Sequence, residues 1–270
     1  MPLWSPPIVL PPLQREWIYW SLTNGIPALI ATVAFLAYPP FDRFAWDVLD
    51  RRSGIFLGTG FLLRAALFAH VITAQSWAEI RWLVVGNAVF AAVLLGVTLV
   101  YGDYFKWIRP IAIIWLFLYI EEPVWMLTLV PQAQAAAGTD VLPGAPVLTL
   151  TRIVLLAEAA FMLLVGVYLF FLNRVQNPIW PWRPDLVSAR VMAGFPLGWS
   201  AWAATLALAP TWSEARGGVL LNIIWLAAIF LSVILFRSLF DLGQRNTRTY
   251  AGLVGVWLVL LIIVFVAQGT

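Results

Sequence analysis

Two adjacent glutamates, Glu121 and Glu122, lie in the segment LYIEEPVWML, which otherwise has the composition of a lipid-soluble helix. A carboxylate can accept hydrogen bonds, pair with a cation or carry a proton, and it is costly in hydrocarbon unless a partner is present. Five other polar residues lie in similarly apolar segments and are candidate partners: Arg64, His70, Asn87, Glu158 and Asn222. Together the seven residues predict a buried cluster that binds a ligand or a proton.

The composition identifies an all-α polytopic integral membrane protein. Of 270 residues, 62% are hydrophobic and 11% are charged, whereas soluble domains have about 45–50% and about 25%. There is no cysteine and one histidine, so we expect no disulfide framework and no Cys-ligated or multi-histidine metal site. The net charge of +3 indicates membrane orientation rather than nucleic-acid binding, so the lipid bilayer is the expected partner. Residue types alone identify no cofactor and no catalytic residue.

A helix crosses the hydrocarbon core in about 20 residues. Eight apolar stretches reach this length, and the short connections between them predict a bundle in a single transmembrane domain, residues 1–270. The predicted spans are 17–38, 54–74, 82–101, 107–130, 152–173, 190–210, 217–238 and 248–267. A Pro/Gly/Ala-rich loop is expected at residues 131–150.

Lysine and arginine are unequally divided between the two sets of loops. The odd-numbered loops hold eleven of the 16 basic residues, the N-terminal segment and even-numbered loops hold four, and Arg64 lies inside a span. Basic residues favour the cytoplasmic side, so we predict cytoplasmic odd loops and both termini on the non-cytoplasmic side of a cell membrane.

Tryptophan is unusually frequent, with 16 residues. Indole rings favour the membrane interface, so the simplest interpretation of those near span ends is an aromatic belt, and a pigment or quinone pocket is the alternative. Six lie near predicted span ends: Trp46, Trp77, Trp82, Trp107, Trp180 and Trp182.

The predicted topology places the ionisable residues at similar depths. A rise of about 1.5 Å per residue puts Arg64 about 15 Å and His70 about 24 Å above the cytoplasmic edge. Glu121, Glu122 and Glu158 fall at about 21–23 Å, and the two asparagines lie nearby. A charge facing lipid costs about 2.5–3.5 kcal/mol, so these groups should face inward. We expect Arg64 within about 4 Å of at least one glutamate.

The glutamate pair has two further consequences. Neighbouring helix positions differ by about 100° in direction, so only one of Glu121 and Glu122 faces the cluster. Pro123 removes a backbone donor beside them, frees the carbonyl of Tyr119 and predicts a kink. With three carboxylates and one permanent cation, at least one acid is expected to hold a proton near neutral pH.

The cytoplasmic loop between the first two spans carries three acids, Asp42, Asp47 and Asp50. Spaced carboxylates can hold Mg²⁺ for prenyl diphosphate chemistry. Pairing with the neighbouring Arg43, Arg51 and Arg52 is the simpler interpretation.

The glutamate pair resembles the EExxxR motif of CAAX-protease-type membrane hydrolases, in which two histidines follow. Here Met126 stands at the arginine position, and His70, the one histidine, precedes the pair. These departures remove the residues that would activate water, so we assign neither the family nor its activity.

Three functions are consistent with the sequence. The leading one is binding or transport in a cavity open to the outside, with a proton, a small cation or a lipid-like molecule such as a quinone as ligand. The alternatives are an accessory or structural subunit of a larger membrane complex and an intramembrane enzyme that uses a glutamate as general acid or base. A dry, fully paired cluster would favour a structural role, an open cleft binding, and a tunnel toward the lipid an enzyme or lipid carrier.

Overall fold

A computed structural model describes residues 14–37, 43–137, 141–171 and 180–269. Each predicted span corresponds to one α-helix within these ranges, and a short 3-10 turn follows the third helix. Seven of the eight helices are long and apolar enough to cross a membrane, and α6 is the exception. The helices are α1 (Gln14–Ala37), α2 (Arg51–Thr73), α3 (Trp77–Val100), α4 (Pro110–Ala137), α5 (Thr149–Phe171), α6 (Leu186–Leu206), α7 (Trp212–Leu235) and α8 (Arg245–Gly269).

Helix α6 lies at the centre of the bundle. It packs against α3 and α5, contacts α2 and α7, and is buried on every side. A Cβ atom on Gly86 of α3 would lie 2.5 Å from the carbonyl oxygen of Gly198, so the lack of side chains here lets α3 and α6 approach closely. Because protein rather than lipid covers α6, the helix does not need the continuous apolar surface of the other seven.

Two ends of the bundle can be distinguished by their contacts. At the end that we call the Trp46 face, the Trp46 indole donates to Ser188 near the start of α6, with an N–O distance of 2.9 Å. At the opposite end, the Glu214 face, Arg152 at the start of α5 donates to the carbonyl oxygen of Ala209 just beyond α6. Helix α6 therefore reaches from one face to the other.

The first turn of α1 and the last turn of α8 lie on the same face. The Trp17 ring lies 5.6 Å from the ring of Trp77 at the start of α3. The Gln268 side chain accepts a hydrogen bond from the backbone N–H of Leu148, just before α5. Both helix ends thus belong to the Glu214 face.

Two local expectations require correction: the start of the loop after α4 and the positions of the belt tryptophans. Helix α4 continues through Pro123 and Pro131 to Ala137, so the loop predicted at 131–150 begins later. Residues 132–137 at the end of α4 are rich in alanine, which favours helix. In addition, Gln134 accepts a hydrogen bond from the Trp77 indole, which holds this end of α4 against α3.

Several of the predicted belt tryptophans face the protein interior rather than the interface. Trp46, Trp77, Trp180 and Trp182 are buried, and Trp182 donates to Ser53. Trp107, with 40% of its surface exposed, retains the position expected for a belt residue. Sequence position near a span end therefore did not reveal which indoles pack between helices.

The acids before α2 form ion pairs, as the simpler interpretation predicts. Asp50 accepts from the backbone N–H of Arg52 and pairs with its guanidinium. Asp47 pairs with Lys106 and Arg109 rather than with the arginines nearest in sequence. Asp42 lies outside the described residues.

Candidate functional site

Three helices bring Arg64, Asn87 and Glu122 together in the middle of the bundle. One terminal nitrogen of the Arg64 guanidinium contacts both carboxylate oxygens of Glu122, at 2.8 and 2.9 Å. The other donates to the Asn87 side-chain oxygen at 2.8 Å. The Asn87 amide nitrogen in turn donates to Glu122 at 2.5 Å. Each member of this Arg64 triad therefore bonds to both of the others.

Apolar and aromatic side chains enclose the triad. Arg64 is 5% exposed and Glu122 is fully buried. The guanidinium carbon lies 4.4 Å from the centre of the Phe90 ring and 5.0 Å from that of Phe68, close enough for cation–π attraction. The cavity beside it on the α1 and α4 side has a volume of only about 50 Å³, room for a few waters at most. The predicted contact between Arg64 and a glutamate is confirmed, and the three side chains of the triad pair with one another.

Glu121 points away from the triad, as helix geometry requires for the neighbour of Glu122. Its carboxylate accepts a hydrogen bond from the Asn24 side chain of α1 at 3.2 Å and is only partly buried. Asn24 was not among the predicted site residues, although its position in the first span made it visible in the sequence.

His70 lies near the Glu214 face rather than in the triad. Its ring packs against Gly217 at the start of α7, where a Cβ atom would come within 2.6 Å of the imidazole Nε2. The charges that act on it are those of Glu79 and Arg216. The imidazole is therefore separated from the glutamates with which it was expected to form one cluster.

Glu158 and Asn222 form a second buried pair that links α5 to α7. The Asn222 amide donates to one carboxyl oxygen of Glu158 at 3.1 Å, and both side chains are fully buried. The other carboxyl oxygen of Glu158 and the side-chain oxygen of Asn222 have no hydrogen-bond partner. The Trp199 indole N–H interacts with this carboxyl group without completing a hydrogen bond of ordinary geometry.

The seven predicted residues therefore occupy four places instead of one cluster. Arg64, Asn87 and Glu122 meet in the triad, and Glu158 meets Asn222. Glu121 and His70 each lie apart, against α1 and α7. The sequence placed the seven residues at similar depths in the membrane. Their side chains leave their helices in different directions, which separates them into these groups.

Sequence reasoning missed an ion pair at the Glu214 face. Glu214, 1% exposed, accepts from Arg81 at 2.6 Å and from the Trp82 indole at 2.7 Å. It also accepts from the backbone N–H of Leu142, so it fastens the connection after α4 to the starts of α3 and α7. The available signal was that each of the two predicted loops before the third and seventh spans holds one glutamate and one arginine.

A separate apolar cavity of about 280 Å³ lies between α5, α6, α7 and α8. Its rim includes Leu164 of α5 and Leu253 of α8, which are 68% and 43% exposed, so the cavity opens toward the lipid between these two helices. Aromatic rings form much of its wall: Phe56, Phe161, Tyr168, Trp180, Trp225, Tyr250 and Trp257.

Three of the side chains that line this aromatic cavity carry buried polar atoms without partners. They are the Tyr168 hydroxyl and the indole nitrogens of Trp180 and Trp225. An indole N–H can only donate a hydrogen bond, and a phenol O–H can donate one. The wall side chains therefore carry unused donors, but these atoms are covered by neighbouring atoms, so a ligand in the cavity contacts them only when the wall side chains rotate. No residue of this wall was among the predicted site residues, although the quinone-pocket interpretation of the tryptophans pointed to such a surface.

Comparison with family models, with curated proteins and with solved structures gives no match for this chain.

Proposed function

We propose that the protein binds a lipid-like molecule that carries carbonyl oxygens, such as a quinone, in the aromatic cavity between α5 and α8. The observation that carries the proposal is the combination of an apolar cavity of about 280 Å³ with three unpartnered donors in its wall. Ligand sites in proteins are mostly apolar with a few placed polar groups that fix orientation. A ring-sized group fits this volume, since a cavity of about 150 Å³ accommodates benzene.

The donors favour a carbonyl compound over an ordinary acyl chain. A saturated chain would leave the hydroxyl of Tyr168 and the N–H groups of Trp180 and Trp225 unpaired, and each unpaired buried donor costs about 1–3 kcal/mol. Quinone oxygens accept hydrogen bonds and the flat ring can stack on aromatic walls. An apolar tail would leave through the opening between Leu164 and Leu253 into the bilayer.

Binding of decylubiquinone to the purified protein tests the proposal. Tryptophan fluorescence is recorded during titration, because Trp180, Trp225 and Trp257 line the cavity. Saturable quenching is expected, and decanol, which has a similar tail without the ring, should not compete. Tyr168→Phe removes one donor and keeps the ring, so it should weaken binding by roughly 2- to 10-fold, the value of one net hydrogen bond.

A matched pair of variants locates the ligand. Val165→Phe enlarges a residue of the cavity wall, whereas Leu156→Phe makes a similar change on a part of α5 that is 51% exposed to lipid. We expect loss of binding in the first variant and unchanged binding in the second. Equal binding by both variants would place the quinone outside this cavity. Equal competition by decanol would mean that the cavity accepts ordinary apolar chains.

We also propose that the Trp46 face is cytoplasmic and that both termini lie on the other side of a cell membrane. The support is the excess of basic residues in the odd-numbered loops, which join helices at the Trp46 face. Reporter fusions after residue 180 and after residue 270 should report opposite sides. The same side for both would remove this orientation.

In this proposal the Arg64 triad has a structural role. Arg64 and Asn87 donate three hydrogen bonds to the Glu122 carboxylate, which favours a role for Glu122 as the partner of a buried cation rather than as a general base. The triad joins α2, α3 and α4. Helix α3 in turn packs against α6, which contributes to the cavity wall.

A further inference from the structure

We propose that Glu158 and Asn222 form a proton-binding site, in which a proton on the free carboxyl oxygen of Glu158 is shared with the side-chain oxygen of Asn222. A carboxylic acid and a primary amide can form two reciprocal hydrogen bonds. The amide N–H donates to one acid oxygen, and the acid O–H donates to the amide oxygen. The first bond is present at 3.1 Å. The two atoms that the second would join are the two left without partners. One proton therefore satisfies both.

The surroundings favour the neutral acid because they supply no compensating cation. A carboxylate without a paired charge is strongly destabilised in a buried site. Contacts to the Glu158 carboxyl group come from Asn222 and Trp199, both uncharged. Arg64 is paired with Glu122. The other ionisable residues of the neighbouring helices lie toward the two faces: His70, Glu79, Arg81, Arg152, Glu214 and Arg216 at one, and Arg51, Arg52, Tyr168, Arg190, Arg245, Arg248 and Tyr250 at the other.

A proton fits this site better than a metal ion. Two unpartnered oxygen atoms do not complete the coordination shell of a hard cation, which takes about six or more oxygens. Among the described residues, no group of three His, Asp or Glu side chains could hold a metal.

The proton site does not depend on the identity of the cavity ligand, although the two are neighbours. Met162 and Leu226 line the aromatic cavity one helical turn from Glu158 and Asn222, respectively. Loss of the proton would therefore place an unpaired charge about one helical turn from this wall.

Infrared spectroscopy of the purified protein at neutral pH tests the site. A protonated carboxyl group has a carbonyl absorption that a carboxylate lacks, and it shifts when H₂O is replaced by D₂O. Glu158→Gln should remove the absorption of one such group, and Gln keeps the shape and can donate to Asn222. Glu122→Gln should leave the absorption unchanged, because Glu122 is paired with Arg64. Asp103→Asn, at an exposed position, provides a second control if the Glu122 variant does not fold.

Two results would overturn the proposal. One is an absorption in Glu158→Gln equal to that of the wild type, which would place the proton elsewhere. The other is loss of the absorption when sodium replaces a large organic cation in the buffer, which would assign the site to a metal cation. Either result leaves the quinone titration and its variants to be judged separately.

Discussion

The Arg64 triad and the Glu158–Asn222 pair place the same functional group, a fully buried glutamate, in opposite electrical settings. Glu122 accepts from a guanidinium and an amide, so its charge is matched within the protein. Glu158 accepts from one amide and has one oxygen and a neighbouring amide oxygen unpartnered. Burial alone therefore does not define the role of an intramembrane acid. The donors that surround it decide whether it fixes helices as an ion or stores a proton.

Removing the charge of each glutamate should produce the largest contrast. Glu122→Gln leaves the Arg64 guanidinium buried and uncompensated, so we expect a loss of about 3–5 kcal/mol in the free energy of unfolding. Glu158→Gln replaces a neutral acid by a neutral amide of the same shape, so the loss should stay below about 1 kcal/mol. Unfolding in detergent, followed by circular dichroism, measures both. Equal losses in the two variants would show that the two settings are alike.

A double variant sharpens this test. Replacing both charges, with Arg64→Met and Glu122→Met together, removes the buried ion pair instead of leaving half of it. Buried pairs can often be replaced by apolar residues without loss, so the double variant should be more stable than Glu122→Gln alone. A double variant that is less stable than the single one would argue against a mutually compensated pair.

The amide partner of Glu158 should matter less than the cation partner of Glu122. Asn222→Leu removes the hydrogen-bonding group and leaves the buried acid alone, with an expected loss of about 1–3 kcal/mol. Asn24→Leu makes the same change beside Glu121, which is only partly buried and can be hydrated. Its loss should be smaller, and thermal unfolding of the two variants side by side gives the comparison. A larger loss in Asn24→Leu would reverse the ranking.

The smallest effect is expected for an ion pair in water. Burial raises the pKa of Asp47, but the close contact and charge of Arg109, with help from Lys106, more than offset this and lower it below its ordinary value. Because the folded pKa is the lower one, the pair stabilises the protein fully above about pH 3.9, the ordinary value. The contribution is lost as the pH falls through the folded pKa.

The exposed pair should contribute less than about 1 kcal/mol, since Asp47 is 40% exposed and solvent screens its charge. Asp47→Asn should therefore match the wild type in strong acid and fall slightly below it near neutral pH. Unfolding curves at several pH values measure this difference in stability. A difference that grows toward acid pH would contradict the lowered pKa of Asp47.

Much of the helical framework could be predicted because the bilayer imposes a simple length requirement. All eight predicted spans correspond to helices in the described part of the chain. The main departures occur where protein replaces lipid as the surroundings. Helix α6, which other helices cover, is not apolar enough over its length to count as a membrane span, and Trp46, Trp77, Trp180 and Trp182 pack inward instead of forming a belt.

The grouping of the candidate site could not be predicted, and α4 shows why. Helix α4 is apolar on nearly all sides, so its sequence does not indicate which face turns inward. Glu121 and Glu122 are separated by about 100° of rotation, and only packing against α1, α2 and α3 directs one toward Asn24 and the other toward Arg64.

Residue types and their order were enough to predict many membrane-embedded helices, a few charged and amide side chains within them, and an acidic partner for Arg64. These properties follow from the cost of placing polar groups in hydrocarbon, which depends on residue type and depth alone. The tertiary structure decided that Glu122 is that partner, that Glu158 belongs with Asn222, and that a cavity opens between α5 and α8. Those outcomes depend on the rotation of each helix about its axis and on side chains far apart in the chain, and neither is encoded in local hydropathy.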